Sequence, residues 1–239
     1  MEERSTILER PIYMDRITPY IDTNIIKILV GQRRVGKSYI LKAVAWEVRH
    51  RNPEANIISI NLEDFAFSHI TDAKELNDAI SLQLADGKRN YIFLDEIQEV
   101  EGFDKVVRSL ILNPQNDVYL TGSNSSMLSS EIASRLAGRS IQIHVHPLTY
   151  GEFLEFHSYT DSDESLATYL RYGGLPYLMH LPEQKTWSEY LGGVTDAVVY
   201  RDVVSRHSLR NTDFLQRLLR FLADNIGQIF NAKRISDYL

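Results

Sequence analysis

The sequence predicts an α/β protein with a mostly parallel, five-stranded sheet that is covered by helices on both faces. Three observations carry this prediction. Short apolar runs alternate with helical periodicity through the first 147 of the 239 residues. A glycine-rich loop directly follows the first apolar run, and only helical periodicity continues beyond residue 147. Strands that alternate with helices are typical of parallel sheets buried on both faces.

The individual elements are predicted from their apolar patterns. Runs rich in Ile, Val and Leu indicate strands at residues 25–30, 56–62, 91–95, 117–123 and 140–146. Apolar residues spaced three and four apart indicate helices. The helical segments are residues 37–48, 74–84, 103–112, 148–157, 163–172, 189–204 and 212–225.

The composition is that of a soluble globular protein without cysteine chemistry. Hydrophobic residues make up 44% and charged residues 24%, which is ordinary. Since the chain has no cysteine, disulfides, thiol nucleophiles and cysteine-ligated zinc are excluded. The net charge of −6 argues against a protein whose whole surface is electropositive and binds nucleic acid. With no signal peptide and no spanning apolar run, we expect a cytoplasmic protein without a membrane partner.

The stretch GQRRVGKSY at residues 31–39 matches the phosphate-binding pattern G-x-x-x-x-G-K-S/T. It lies between an apolar strand and a helical segment, which is the setting that this motif requires. Backbone N–H groups of such a loop and of the helix N-terminus bind phosphate oxygens. The guanine-reading pattern N-K-x-D is missing, so we expect ATP or ADP. The predicted nucleotide-binding residues are Gly31, Gln32, Arg33, Arg34, Val35, Gly36, Lys37, Ser38 and Tyr39.

Two carboxylates follow the apolar run YIFL, where a strand of a parallel sheet would end. Ligands bind at that edge of such sheets. Asp95 is expected to hold Mg²⁺ together with the hydroxyl of Ser38. Glu96 is the candidate that orients or deprotonates the attacking water, and Lys37 would reach the β- and γ-phosphates.

Further candidates follow the fourth strand and precede the fifth. Ser123 or Asn124 would hydrogen-bond the γ-phosphate or the attacking water; the alternative is a helix cap. Arg139, and with less support Arg135, would stabilise transition-state charge, from a neighbouring subunit where the chain assembles. The alternative for both arginines is a solvent-exposed position.

The sequence leaves open the roles of three arginines near the loop. Arg33 and Arg34 occupy the variable centre of the loop, where side chains usually point away from the phosphates. They are expected at the surface, or in contact with a neighbour's acidic residue or nucleic acid. Arg10 and Tyr13 precede the first strand, where a contact with adenine is one alternative.

Together these segments resemble the AAA+ group of P-loop ATPases. Residues 31–41 look like its Walker A motif, 91–100 like Walker B, 120–124 like sensor 1, and 136–139 like the arginine-finger region. The series LAGR, HPLTYGEF and GGLP is similar to a narrower prokaryotic family. In that family an AAA-type ATPase domain precedes an uncharacterised C-terminal domain.

The resemblance implies a three-layer P-loop NTPase sandwich at residues 1–147, a helical lid at 148–205 and an incomplete winged-helix segment at 206–239. It also implies an extra strand between the loop strand and the Walker B strand, for which residues 56–62 are the candidate. DNA binding is not carried over, because no recognition helix follows in this chain.

The function that the resemblance implies is Mg²⁺-dependent ATP hydrolysis coupled to motion of the lid. The alternative is a nucleotide-gated switch, or a module that binds DNA or protein, with little turnover. A homo-oligomer is a further expected partner state.

Overall fold

The computed structural model describes residues 9–123, 135–182, 184–198, 212–229 and 231–238. Within these ranges, five strands form one parallel sheet, which confirms the predicted fold class. The strands are β1 (Ile26–Gly31), β2 (Asn56–Asn61), β3 (Asn90–Asp95), β4 (Asn116–Ser123) and β5 (Ser140–His144). Their order across the sheet is β2-β3-β4-β1-β5.

Except for one helix before the first strand and one after residue 230, the helices agree with the helical segments predicted from apolar spacing. Helix α1 (Pro11–Ile17) was not predicted; it starts with a proline at its first position, where proline is favoured. The others are α2 (Lys37–Arg51), α3 (Ala73–Ser81), α4 (Phe103–Leu110), α5 (Tyr150–His157), α6 (Asp163–Tyr172), α7 (Gln184–Ala197), α8 (Thr212–Asp224) and α9 (Ala232–Tyr238). The end of the predicted helix 189–204 lies outside the described residues.

The placement of one strand differs from the expectation. The strand between β1 and β3 is β4, whereas β2, the strand at residues 56–61, lies at the edge of the sheet. Burial explains the difference. From Asn116 to Gly122 every residue of β4 is buried, while β2 exposes Ser59 and Asn61. A strand with polar side chains on one face suits an edge, and a fully buried one suits the centre.

An apolar cluster packs against one face of the sheet. Leu76 and Ile80 of α3 and Val107 of α4 are fully buried there, together with Ile92 and Leu120 of the central strands. Helix α3 begins at this place because the side chain of the preceding residue, Asp72, accepts hydrogen bonds from two of its first N–H groups. This packing holds the central strands in place. Because these strands are parallel, their carboxyl ends meet at the same edge of the sheet.

A buried ion pair lies at the opposite, amino edge of the sheet. Lys27 in β1 and Asp117 in β4 are at most 1% exposed and bond to each other. Lys27 Nζ also donates to the Thr23 carbonyl at 2.8 Å, and the Tyr119 hydroxyl donates to Asp117 at 2.9 Å. Burial lowers the pKa of Lys27, and Asp117 offsets this only in part.

The chain folds as two compact units, Met1–Pro182 and Glu183–Leu239. The first contains the sheet and helices α1–α6, and the second contains α7–α9. The division into a lid at 148–205 and a winged-helix segment at 206–239 stays a prediction. No helix in the described ranges is long and apolar enough to cross a membrane.

Candidate nucleotide-binding site

The predicted phosphate loop joins β1 to α2 in a strained, tightly packed turn. Arg34 and Gly36 have φ values of +66° and +97°, a region that favours glycine. A Cβ atom added at Gly31 would lie 2.3 Å from the Val145 carbonyl oxygen, so only glycine fits there. Val35, at the centre of the turn, is fully buried. The loop is therefore held in shape by its neighbours.

Lys37 folds back over the loop that precedes it. Its side chain is only 3% exposed, and Nζ donates to the carbonyl oxygens of Gly31 at 3.2 Å and Gln32 at 3.1 Å. The same nitrogen lies 3.7 Å from Glu96 Oε1. The loop lysine and Glu96 are thus neighbours.

Ser38 and Asp95 also meet, although they are far apart in the sequence. Ser38 Oγ donates to Asp95 Oδ1 at 3.1 Å. Burial raises the pKa of Asp95, although hydrogen bonds from Thr121 and Ser38 partly offset that effect. A carboxylate and a hydroxyl are oxygen ligands of the kind that Mg²⁺ takes alongside phosphates and water. The pair therefore fits the predicted metal site.

Thr121 in β4 is a residue that the sequence prediction missed. Its hydroxyl is fully buried, donates to Asp95 Oδ1 at 2.5 Å and accepts from the Glu96 backbone N–H at 2.9 Å. One side chain thus contacts both the Asp95 carboxylate and the Glu96 backbone. A threonine inside the apolar run VYLTG was the available signal.

Glu96 adopts an unusual backbone conformation. It is only 8% exposed, and its φ and ψ of 55° and 48° are left-handed, which costs a non-glycine residue about 1–3 kcal/mol. Its Oε2 accepts from Gln98 Nε2 at 2.5 Å. Strained residues cluster at functional sites, and here the strain aims a carboxylate toward Lys37.

The outer residues of the loop face solvent. Gln32, Arg34 and Tyr39 are exposed, whereas Arg33 is half-buried. Arg33 Nη1 donates to Glu63 Oε1, after β2, at 3.1 Å. Arg34 is thus exposed, as the first interpretation expects, and Arg33 has an acidic partner within its own chain.

The remaining candidates are Ser123, Asn124 and Arg139. Ser123 ends β4 opposite Gly31, at the correct edge. Asn124 lies outside the described residues. Arg139 is exposed at the amino edge, where its carbonyl accepts from Ile26 N–H at 2.9 Å. At about 3.3 Å per residue, β1 separates the two edges by about 17 Å, so Arg139 cannot serve its own loop.

Arg135 is held by an acidic residue near the sheet. Its Nη1 donates to Asp104 Oδ1 in α4 at 3.0 Å. This ion pair agrees with the structural alternative for Arg135. Both Arg135 and Arg139 are exposed.

The GGLP segment (residues 173–176) packs directly beside the phosphate loop. A Cβ atom on Gly174 would lie 2.2 Å from the Leu148 carbonyl oxygen, and Leu148 N–H donates to the Gly174 carbonyl at 2.7 Å. Pro176 Cγ would be 3.8 Å from a Cβ atom at Gly36. The turn that ends α6 is therefore packed closely against Leu148 and lies beside the phosphate loop.

Family models match two parts of the chain. A model described as AAA domain matches residues 23–154. A second, described as Domain of unknown function (DUF8612), matches residues 163–239. The first covers the sheet and the phosphate loop.

Two curated relatives share about a third of the residues. An uncharacterised protein of Haemophilus influenzae is 31% identical over 239 residues, which cover 98% of this chain and 60% of the relative. An uncharacterised protein of Methanocaldococcus jannaschii is 33% identical over 227 residues, which cover 90% of this chain and 50% of the relative. The chain therefore spans about half to three fifths of the length of these relatives.

One solved structure has the same fold. The structure of AMPPCP-bound DnaA from Aquifex aeolicus superposes with a TM-score of 0.52 at 16% identity. The match covers 96% of this chain and 75% of that chain.

Proposed function

This chain belongs to the AAA domain family, and on that premise we propose that it binds ATP with Mg²⁺ at the carboxyl edge of the sheet and hydrolyses it. The family and the fold support the P-loop nucleotide-binding module. Hydrolysis, the metal and any coupling to the helical segments are our proposal.

One observation carries the proposal. Lys37, Ser38, Asp95 and Glu96 come from two separate sequence motifs, yet their side chains meet in two neighbouring pairs, Lys37 with Glu96 and Ser38 with Asp95. The two pairs surround the start of α2, whose N-terminus attracts anions. An ion pair needed only for stability would not require a glycine loop and a helix N-terminus beside it.

Each side chain then has a distinct task. Lys37 exchanges its two carbonyl partners for phosphate oxygens. Ser38 and Asp95 hold Mg²⁺, which would supply neutralising charge to the phosphates. Glu96 orients a water molecule for attack and accepts its proton, so an inorganic phosphate and ADP leave as products.

Replacing Glu96 tests this assignment. We expect Glu96→Gln to bind ATP within about twofold of the wild type and to lose 10²-fold or more in turnover, because a general base contributes about 10²–10⁴-fold. The matched control is Glu99→Gln, an exposed glutamate in the same turn. If Glu96→Gln binds ATP and hydrolyses it at the wild-type rate, the proposed mechanism is wrong.

A second candidate function is a nucleotide-gated switch with little turnover. It is favoured by the engagement of Glu96, whose two carboxylate oxygens face Lys37 and Gln98 in this structure. Such a protein would hold ATP or ADP and use its state to control a DNA or protein partner. Turnover measured with and without DNA separates the two, since brisk hydrolysis without DNA contradicts the switch.

Arg139 fits the proposal only in an assembly. It lies at the edge opposite its own phosphate loop, so we propose that it acts on the nucleotide of a neighbouring copy. That arrangement makes a homo-oligomer the active form.

A further inference from the structure

Arg10, just before α1, is one of the most fully bonded side chains of the described structure. It is buried, and all five of its N–H donors have acceptors. Nε and Nη2 donate to the two oxygens of Glu152 at 2.7 and 2.9 Å. The remaining donors reach the carbonyl oxygens of Val35 at 3.1 Å, His146 at 2.9 Å and Pro147 at 3.3 Å. No donor is left for adenine, so the contact considered for Arg10 from the sequence does not form here.

The bond to Val35 fixes one peptide plane of the phosphate loop. In a trans peptide the carbonyl and the following N–H point in opposite directions. Since the Val35 carbonyl points to Arg10, the Gly36 N–H points away from Arg10. The φ of +97° at Gly36 lets the chain turn into α2 from that orientation. The amide of Gly36 is one of the loop donors that a phosphate-binding motif aims at its anion.

The bond to Glu152 connects the same guanidinium to helix α5. Glu152 forms a capping box with Thr149, since its Oε2 accepts from Thr149 N–H at 2.8 Å and the Thr149 hydroxyl accepts from Glu152 N–H at 3.3 Å. Burial by itself raises the pKa of Glu152, but hydrogen bonds from Arg10 and Thr149 outweigh it and the pKa is lowered. Glu152 is therefore a carboxylate at neutral pH, which strengthens its bidentate pairing with Arg10.

A second contact braces the same segment. The Tyr13 hydroxyl in α1 accepts from His146 N–H at 2.9 Å, and the Arg10 guanidinium lies 4.5 Å from the Tyr13 ring centroid. Residues 145–147 thus lie between α1 and the phosphate loop. Arg10 bonds to this segment through the carbonyl oxygens of His146 and Pro147, and to the loop through the carbonyl oxygen of Val35.

We propose that Arg10 is a positioning residue that holds the phosphate loop ready for a nucleotide and couples its occupancy to helix α5. This deepens the nucleotide-binding function proposed above and rests on it. A nucleotide that stabilises the Val35–Gly36 peptide also stabilises the Arg10–Glu152 pair and the start of α5. The coupling is reciprocal, so disrupting the pair weakens nucleotide binding by the same factor by which the nucleotide stabilises α5.

Two measurements on the whole chain test the proposal. The first is the dissociation constant for ADP and ATP in the wild type and in Arg10→Lys, which keeps the charge but loses the planar five-donor geometry. The second is amide hydrogen exchange of α5, residues 150–157, with and without ADP. The matched control is Arg16→Lys, an exposed arginine on α1.

We expect Arg10→Lys to raise both dissociation constants about tenfold, or about 1.4 kcal/mol, because the loop loses the donor that fixes the Val35 carbonyl. We also expect ADP to slow exchange in α5 of the wild type but not of the variant. A residue that only stabilises the fold would not remove this nucleotide-dependent difference.

If Arg10→Lys folds, binds ADP within twofold of the wild type and keeps the protection of α5, the proposal is overturned. If Arg10→Lys does not fold, Glu152→Gln decides, because it keeps the Val35 contact while weakening the link to α5. Loss of ADP-dependent protection in Glu152→Gln supports the coupling, and wild-type protection contradicts it. A wild type that binds no nucleotide would instead refute the proposed function itself.

Discussion

The buried pair of Lys27 and Asp117 gives the sharpest stability prediction. Asp117→Asn keeps the shape of the side chain and an acceptor for the Tyr119 hydroxyl, but it removes the negative charge beside Lys27. The Lys27 ammonium is then left 1% exposed, with the Thr23 carbonyl as its remaining acceptor among the contacts described above. Breaking a buried pair in this way typically costs about 3–5 kcal/mol.

The free energy needed to deprotonate Lys27 limits the loss of stability in Asp117→Asn. Instead of staying charged, Lys27 can lose its proton, and its ordinary pKa is 10.5. Deprotonation at pH 7 spans about 3.5 pH units at about 1.4 kcal/mol each, which is about 5 kcal/mol. At pH 9 the same step costs only about 2 kcal/mol. We therefore expect a loss of about 3–5 kcal/mol at pH 7 that falls to about 2 kcal/mol or less at pH 9.

Urea unfolding at both pH values measures this loss. The chain has two tryptophans, Trp46 and Trp187, so a Trp187→Phe background leaves only Trp46 in α2 to report on the unit that contains the sheet. The exposed Asp15→Asn is the control, with a change within about 0.5 kcal/mol. In thermal unfolding, a loss of about 3–5 kcal/mol in the free energy of unfolding corresponds to a melting temperature lowered by about 6–20 °C.

The double variant completes the test. Adding Lys27→Met to Asp117→Asn removes the uncompensated charge, so we expect the double variant to be more stable than Asp117→Asn at pH 7. The reasoning is refuted if Asp117→Asn costs less than about 1 kcal/mol at pH 7, or if its cost is the same at pH 9.

Three further predictions concern the site. Thr121→Val leaves the Glu96 N–H without its acceptor, so we expect a loss of about 1–3 kcal/mol in urea unfolding and slower ATP turnover; unchanged stability would contradict it. Burial raises the pKa of Asp95 above its ordinary 3.8, so the stability that the protonated form contributes is fully present below pH 3.8 and is lost as the pH rises through the raised pKa. Asp95→Asn should therefore unfold at higher temperature than the wild type at pH 7, with a smaller gain at pH 4, and lose Mg²⁺-dependent ATP binding in titration calorimetry. Arg139→Ala and Glu96→Gln should each be inactive alone yet regain turnover when mixed, and a mixture without activity would count against action between copies.

Much of the fold could be predicted because its signals are local. The strands are contiguous apolar runs, and the loop residues Gly31 to Ser38 are contiguous in the sequence. The meeting of Ser38 with Asp95 followed from one rule, that parallel strands end at a common edge. The edge position of β2 was also readable, since Ser59 and Asn61 alternate with its isoleucines, but the prediction followed the family resemblance, which implied a strand between the loop strand and the Walker B strand.

Thr121, which was missed, and Arg10, whose partners were not predicted, make contacts across long sequence separations. Thr121 depends on the pairing of β3 with β4, which places Leu94 beside Leu120 and so brings Asp95 close to Thr121. Arg10 bonds to Val35 and Glu152, which are 25 and 142 positions away. The sequence around residue 10 contains no pattern that indicates either partner. Helix α1 is also too short to show a clear helical period.

The position of Arg10 affects how this module can be divided. A fragment limited to residues 23–154, the span of the AAA domain match, would keep every residue of the phosphate loop and Glu152. It would lack Arg10 and Tyr13, so the Val35 carbonyl and one face of the Glu152 carboxylate would lose their partners. It would also lack Gly174 and Pro176, which pack beside Leu148 and the loop. The smallest piece able to present an intact loop therefore starts before residue 10 and extends beyond residue 176.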